Sequence, residues 1–349
     1  MLIPPNPSSS SLVDVLSVDR WLPDETIFSL CSRQHFLSGA ALQQAVLDRF
    51  FIGLRAGMNH DVPAHLAMFI RATSGRFGTN PLDLCRDHSL VRLYLPWLST
   101  ECERVVIEAI ANQGTQPARS LLGLTRGRFG TTHPLKLCRE CVGADSSTYG
   151  TGYWHLQHQY PGVWWCEIHR RQLEVSALGR IKNGRYVWTL PRLSSLPRVP
   201  LMVVGSVGMR HLTETIAHSA NLPSNFHFDY QRLKDTYTAK LADAGLMKST
   251  DTVDRRQVSL QFLDHLLSMR DVQELTVTPG ICHLIARRLD CLLYLACMTR
   301  HPLIHLLFID WLFDGWPAFW SSYNTIPCHT GVPFRPLRSQ VYEPHTSRH

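Results

Sequence analysis

The sequence lacks the motifs that mark the commonest enzyme active sites. It contains no G-x-x-x-x-G-K-[ST] phosphate loop, no H-E-x-x-H motif and no G-x-S-x-G nucleophile motif. The segment GSVG at 205–208 has the glycines of a phosphate loop but not its lysine. No pair of carboxylates stands out for acid–base catalysis. We therefore expect a protein that is not an enzyme.

Long hydrophobic runs are also absent, and charged residues make up only 18% of the 349-residue chain. The most apolar stretches, 289–298 and 301–313, are too short and too interrupted by charge for a membrane-spanning helix. The start of the chain has neither the basic nor the apolar region of a signal peptide, and residues 1–20 are expected to form a flexible arm. These features predict a cytoplasmic protein without membrane contacts, whose ten cysteines are reduced or bound to metal.

Positive charge is concentrated in one segment, residues 115–200. This segment holds twelve Lys and Arg residues against four acidic ones, a net charge of +8, whereas the whole chain carries +7. Such a distribution favours a polyanionic partner such as double-stranded DNA, although a solvated basic face gives the same pattern. Within the segment, the candidates for DNA contact are Arg128, Arg170 and Arg171.

Two short cysteine motifs in the same segment predict a metal site. Cys138 and Cys141 are separated by two residues, Cys166 and His169 repeat that spacing, and twenty-four residues lie between the pairs. Three thiolates and one imidazole complete a tetrahedron, which is the ligand set of a closed structural zinc site. A Cys-x-x-Cys redox pair would not need the second pair, and a catalytic zinc would keep one position open. We therefore expect one structural Zn²⁺ per chain.

Aromatic residues and histidines fill the sequence between the two motifs. Because so short a module has little else to bury, the aromatic side chains are expected to form a small core over the metal, with stacking on bases as the alternative. His155 and His158 are expected beside the metal ligands or in the core, because the ligand set is complete without them.

Helical patterns on both sides predict a mainly α fold in three parts. Residues 21–114 form a run of short helices that suits a helix-turn-helix-like region, although a small helical bundle fits equally. Residues 115–200, rich in glycine, proline and aromatics, are expected to form a small zinc-finger module with a short strand at 184–191. Residues 201–349 are expected to form a helical C-terminal domain with an irregular tail from Tyr323.

Local signals place several helix starts in the first part. Asp24 is expected to cap a helix that ends at Gly39, and Asp61 to start another with Pro63 in its first turn. Thr100 and the glutamate three residues later match a capping box.

A pair of helices in the third part is a candidate DNA-binding element. The first is expected to run from Asp229 to Gly245, and the second to begin near Asp254 after a polar turn. In the second helix Val258, Phe262 and Leu266 are spaced by four residues and are expected to face the core. Arg and Gln suit guanine and adenine edges, and recognition helices present their first residues to the major groove, although a solvated amphipathic helix has the same pattern. The outward candidates are Arg255, Arg256, Gln257 and Gln261.

Taken together, four stretches resemble the TniQ/TnsD family of transposon target-selection proteins. The most specific is the stretch YG..YWH..HQ.PGV..C..H at 149–169, which follows the C-x-x-C motif. LPDETIFSLCSRQHFLSG at 22–39, RDHSLVRLYLPWLS at 86–99 and HPLIHLLFIDWLF at 301–313 resemble further family segments. Two features depart from the family pattern: arginine and glutamate replace the proline often found after the first cysteine of each knuckle, and a second zinc cluster is missing.

The resemblance implies a bacterial, DNA-associated adaptor that neither cuts nor joins DNA. Such a protein binds target DNA and recruits a TnsC-like AAA+ ATPase, and we expect residues 20–200 to carry the ATPase contact. The alternative is a bridge, often dimeric in this family, between a guide-RNA Cascade complex and the ATPase, with little sequence reading of its own. An unrelated zinc enzyme is the third possibility.

Overall fold

Helices dominate the fold, as the sequence predicted. The computed structural model describes residues 18–39, 44–53, 59–124, 129, 133–176, 187–193, 207–250, 252–269, 272–275, 280–287 and 301–327. Within these ranges no helix is both long and apolar enough to cross a bilayer. The helices are α1 (Ile27–Leu37), α2 (Gln44–Phe51), α3 (Leu66–Ala72), α4 (Pro81–His88), α5 (Thr100–Asn112), α6 (Thr115–Leu121), α7 (Arg139–Tyr149), α8 (Leu156–Gln159), α9 (Val207–Ala220), α10 (Tyr230–Asp243), α11 (Arg255–Ser268), α12 (Ile281–Arg287), α13 (Pro302–Phe313) and α14 (Trp316–Thr325).

Strands in the described residues are short and pair only as antiparallel two-stranded ribbons. β1 pairs with β4, β2 with β3, and β5 with β6. The first two ribbons belong to the predicted metal module, and the third lies between α10 and α11. The strands are β1 (Lys136–Leu137), β2 (Trp165–Cys166), β3 (Arg171–Gln172), β4 (Glu174–Val175), β5 (Met247–Ser249) and β6 (Thr252–Val253).

The first helix is capped by Thr26, so the expectation for Asp24 was wrong. The Thr26 hydroxyl accepts a hydrogen bond from the Ser29 amide at 3.1 Å. Asp24 has a left-handed backbone (φ 56°), and its carboxylate accepts from the Gln157 amide at 3.0 Å. A long-range contact has therefore replaced the local cap that the sequence suggested.

Two other predicted helix starts also differ in the structure. Ser99, not Thr100, caps α5, and its hydroxyl accepts from the Cys102 amide at 3.2 Å. Asp61 lies outside α3, and its buried carboxylate pairs with Arg119 at 2.6 Å. An ion pair buried on both sides needs both partners, which explains why Asp61 is not available as a helix cap.

Three further expectations, for the N-terminal arm, the C-terminal tail and a strand at 184–191, differ from the structure. Residues 1–17 of the predicted arm and 288–300 and 328–349 lie outside the described residues. Val18, expected in the arm, is buried, and its amide donates to a side chain of α1. Tyr323 is buried within α14, so the expected irregular tail is wrong at this residue. No strand forms at 187–191, the described part of the predicted strand 184–191.

The centre of the third part is α13, which was expected to be a core helix. Leu306, Leu307, Phe308 and Ile309 are fully buried, and α13 packs against α9, α10, α11 and α14. An apolar helix that is buried on nearly every face needs neighbours on all sides. The three-part division at 114 and 200 remains a prediction.

The 86–99 segment joins the first part to the third. The Arg92 guanidinium donates to the Ala220 carbonyl at 2.7 Å, and the Trp97 indole donates to the Ser219 hydroxyl at 3.1 Å. One apolar core runs through residues of all three parts. The segment that resembles a family motif is therefore a docking surface for α9.

Candidate metal centre and DNA-contacting surface

The four predicted metal ligands come from the start of a helix and from a hairpin turn. Cys138 is the N-cap residue of α7, and Cys141 lies in the first turn of that helix. Cys166 ends β2, and His169 lies in the turn that leads into β3. A helix start and a tight hairpin turn each bring two side chains separated by two residues to one point, which is what both short motifs require.

The structure brings these four side chains to one point. Their ligand atoms lie within 4.8 Å of one another, and the three cysteines are buried. The Cys141 and Cys166 sulfurs are 3.7 Å apart, and His169 Nδ1 lies 3.2 to 3.8 Å from the three sulfurs. Around a tetrahedral zinc ion with bonds of about 2.3 Å to sulfur and 2.0 Å to nitrogen, these separations would be about 3.8 and 3.6 Å. The arrangement could therefore hold one four-coordinate metal ion.

The three thiols lie close enough to shift one another's pKa values. Contacts from the Cys138 and Cys141 side chains lower the pKa of Cys166 to about 3. The contacts with Cys138 and Cys166, together with burial, raise the pKa of Cys141. A divalent cation removes this conflict because it binds all three as thiolates and releases their protons. The start of α7 adds the positive end of a helix dipole beside Cys138 and Cys141.

Ion pairs surround the cluster and occupy two nearby arginines. Arg139 makes a two-bond contact with Glu174 at 2.8 and 3.0 Å, which ties α7 to β4. Arg171 pairs with Glu140, whose other carboxylate oxygen lies 3.6 Å from the Cys138 sulfur. These arginines link the segment of Cys138 and Cys141 to the segment that follows Cys166 and His169.

Most of the aromatic residues between the motifs are buried, which favours the core interpretation over base stacking. Tyr153, Trp154, Tyr160 and Trp164 are at most 3% exposed, whereas Tyr149 is 39% exposed. Trp154, Tyr160 and Trp164 belong to the same apolar core as the three cysteines.

The two histidines lie beside the ligands, as expected, and are not part of the set. His158 is buried, with its Nε2 4.0 Å from the Cys141 sulfur, and burial lowers its pKa to about 3. His155 Nε2 lies 2.9 Å from an Asp145 oxygen. A neutral, buried His158 places no positive charge against the metal position.

The N-terminal motif at 22–39 packs directly on the central motif. Glu25 and His155 form an antiparallel bridge, and the Thr26 amide donates to the Trp154 carbonyl at 3.2 Å. The Glu25 carboxylate is fully buried and pairs with Arg33 at 2.7 Å. Stretches that are more than a hundred residues apart in sequence therefore form one structural unit.

A buried lysine and glutamate, which the sequence analysis missed, hold the loop 161–164. Lys136 is 0% exposed, and its Nζ donates to the Tyr160 and Val163 carbonyls at 2.7 and 2.6 Å. Burial lowers the pKa of Lys136 to about 8, an effect that the charge of Glu274 opposes. No spacing rule links Lys136 to residue 274, so only the rarity of a lysine in an apolar strand could have drawn attention to it.

Glu274 holds the other side of the same loop and comes from the third part of the chain. Its carboxylate accepts from the Gly162 amide at 2.9 Å and from the Trp164 indole at 2.6 Å. Gly162 has φ 84°, and a Cβ there would lie 2.7 Å from Leu303 and 2.8 Å from Ile216. Only glycine allows the loop to approach α9 and α13 this closely. We call Lys136, Glu274 and the loop 161–164 the clasp.

The proposed DNA-reading helix, α11, has a buried apolar face and an exposed polar face, as expected. Val258, Phe262 and Leu266 of α11 are fully buried, and Asp254 caps the helix by accepting from the Gln257 amide at 3.2 Å. The four DNA-contact candidates of this helix are all exposed; they are Arg255, Arg256, Gln257 and Gln261.

The connection before α11 differs from the expected polar turn. β5 and β6 pair here as an antiparallel ribbon, and the Asp254 amide donates to the Leu246 carbonyl at its base. Both α10 and α11 pack against α13, so the pair is held by the core and not by a tight helix-turn-helix corner.

The candidates in the basic segment have different environments. Arg170 is exposed, with a left-handed backbone (φ 50°) in the turn after His169. Arg171 is committed to Glu140, and Arg128 lies outside the described residues. Of the other basic residues, Arg119 and Lys136 are buried. The described part of this segment is therefore less available to a polyanion than its +8 charge suggested.

Comparisons with known proteins agree with the motifs assembled around this cluster. A TniQ family model matches residues 18–173, just under half of the chain. The chain is also 23% identical over 148 residues, 42% of its length, to "Transposon Tn7 transposition protein TnsD" from Escherichia coli. The match spans only 29% of the length of that relative. The chain is therefore similar to the TniQ family over residues 18–173 and to TnsD over part of its length.

Proposed function

We propose that this protein is a target-selection adaptor in DNA transposition that binds target DNA and recruits a TnsC-like AAA+ ATPase. The observation that carries the proposal is the TniQ match over residues 18–173, the same segment whose motifs pack together around the Cys₃His cluster. The adaptor role requires no catalytic group of its own.

The cluster is proposed to bind one structural zinc ion. Cys138, Cys141, Cys166 and His169 would be the ligands, and four protein ligands leave no open position for a water or substrate. Zinc would supply folding energy to a module whose two knuckles are otherwise joined by short ribbons and ion pairs. Metal analysis of the purified protein should find about one zinc per chain, as expected for one closed site.

The DNA contact is proposed for the exposed start of α11. The separation of a fully buried apolar face from an exposed Arg and Gln face supports this proposal. Arg170 would add a phosphate contact from the metal hairpin, while Arg171 would act through Glu140 to hold the hairpin in place.

A second candidate function is the bridge to a guide-RNA Cascade complex. It is favoured by Leu260, which is 54% exposed on the same outward side of α11 as Gln257 and Gln261. An exposed leucine suits a protein contact better than a phosphate backbone.

Footprinting of the purified, zinc-loaded protein on fragments of its own genome tests both candidates. A discrete protected site without a guide complex supports direct target selection. Protection only when the Cascade complex is added supports the bridge, and the absence of protection under either condition contradicts both.

A further inference from the structure

A groove separates the β2–β3 hairpin, which carries Cys166 and His169, from helix α9. Val163, Trp165 and Ile168 line one side of it, and Ala217 and Ala220 line the other. We propose that this groove binds a protein segment that carries an aliphatic side chain next to a basic one. The inference rests on the proposed recruitment of the ATPase, and we assign the segment to that partner.

The shape of the groove favours an aliphatic side chain. Ile168 is 72% exposed although it lies between two metal ligands, Cys166 and His169. Coordination at both ends would fix the hairpin turn, so Ile168 is held in place before any partner binds, and little ordering entropy is lost on binding. On the opposite wall, two alanines of α9 leave room for an inserted side chain.

The charge of the groove favours a basic neighbour. Glu167 is exposed and is the acidic residue of the lining, while Gln157 and Asn221 place side-chain amides along the groove. Amide side chains can pair with the backbone of an extended peptide. The Arg210 guanidinium lies over the Trp165 ring at 5.4 Å. DNA phosphates would meet the Glu167 carboxylate, so a basic peptide suits this surface better than nucleic acid.

The test uses the full-length, zinc-loaded protein and the purified ATPase of the same transposon, with binding measured by biolayer interferometry in ATP. Ala217→Glu places a second carboxylate and a long side chain in the groove, and Glu167→Lys reverses the charge at its edge. The matched control is Ala239→Glu, the same change at an exposed position of α10. We expect both groove variants to bind the ATPase at least about tenfold more weakly and the control to bind as the wild type does.

Each outcome decides between the groove and the broader function. If the wild type binds and Ala217→Glu binds equally well, the groove inference is wrong while recruitment stands. If the wild type does not bind, the proposed function fails, and the inference fails with it. Melting temperature and zinc content are measured for every variant. Should Ala217→Glu fail to fold, Ala217→Leu, which fills the groove without adding charge, must show the same loss for the inference to survive.

Discussion

Removing the Glu274 carboxylate should separate the third part of the chain from the metal module. Glu274 is 2% exposed and holds both the Gly162 amide and the Trp164 indole. In Glu274→Ala both donors stay buried without an acceptor, and the buried Lys136 ammonium loses its neighbouring negative charge. Glu274→Gln keeps the size of the side chain, but the NH2 group that replaces one carboxylate oxygen cannot accept from the donor that faces it.

The magnitude follows from these contacts. Hydrogen bonds to a charged group contribute about 1.5–3 kcal/mol each, and breaking a buried charged pair costs about 3–5 kcal/mol. The two figures overlap because they describe the same carboxylate. We therefore expect Glu274→Ala to lower the free energy of unfolding by about 3–5 kcal/mol and Glu274→Gln by about 2 kcal/mol. The larger loss is a factor of at least about one hundred in the unfolding equilibrium.

Urea unfolding of the zinc-loaded protein, followed by circular dichroism, measures this loss. The control is Glu214→Ala, which removes a carboxylate from the exposed side of α9 and should change stability by less than about 0.5 kcal/mol. A double-mutant cycle with Lys136→Met should give a coupling of at least about 1 kcal/mol, because the two residues hold the same loop. If Glu274→Ala unfolds at the same urea concentration as Glu214→Ala, the clasp does not stabilise the protein.

Three further predictions concern the metal, the DNA and the pH. Cys166→Ser should release the zinc and unfold the module, because binding energy at such sites, on the order of 10 kcal/mol, is folding energy; a variant with unchanged zinc content and melting would contradict the site. If Arg256 reads a base, Arg256→Ala should lower the binding free energy at the preferred DNA site by about 1–3 kcal/mol. If Arg256 contacts phosphate, the variant should bind all sequences equally more weakly, with a salt slope lower by about one. Affinities on target and scrambled duplexes distinguish these results, and no change in affinity or salt slope removes α11 from the interface. Burial raises the pKa of Asp24 from 3.8 to about 6, so the folded state binds the extra proton and the free energy of unfolding should fall as the pH rises from 3.8 to 6. Asp24→Asn, which keeps an acceptor for Gln157, should lack this fall and be more stable at pH 7 by at most about 3 kcal/mol; equal pH profiles for both proteins would refute the assignment.

The four side chains of the Cys₃His cluster could be identified from the sequence because their geometry is local. Two residues between ligands place both side chains on one side of a turn whatever surrounds it, and the repeat of this spacing at Cys166 and His169 adds a second constraint. The buried face of α11 could also be predicted from the sequence, because Val258, Phe262 and Leu266 follow the period of the helix itself. Features that depend on the chain within four residues were therefore predicted well.

The predictions for Asp24 and Asp61 were wrong because long-range partners competed for the same side chains. Asp24 matches an N-cap by composition, but the Gln157 amide, more than a hundred residues away, uses its carboxylate. Asp61 also matches a helix start, but Arg119 pairs with it in a buried site. Sequence spacing contains no information on either contact. A polar residue at a good cap position is a cap only when nothing else in the fold needs its charge.

The clasp explains why the loop 161–164 carries a specific sequence although it contributes no metal ligand. Gly162 lets the backbone approach α9 and α13, and its amide meets Glu274, while Lys136 holds the carbonyls on the other side of the loop. Lys136 lies two residues before the metal ligand Cys138, so a shift of the first knuckle would move the ammonium away from those carbonyls. The Cys₃His cluster and the docking of the C-terminal helices are thus joined through one buried lysine. It follows that loss of zinc should weaken the contact with Glu274, and with it the position of α11, which lies more than eighty residues away in the chain.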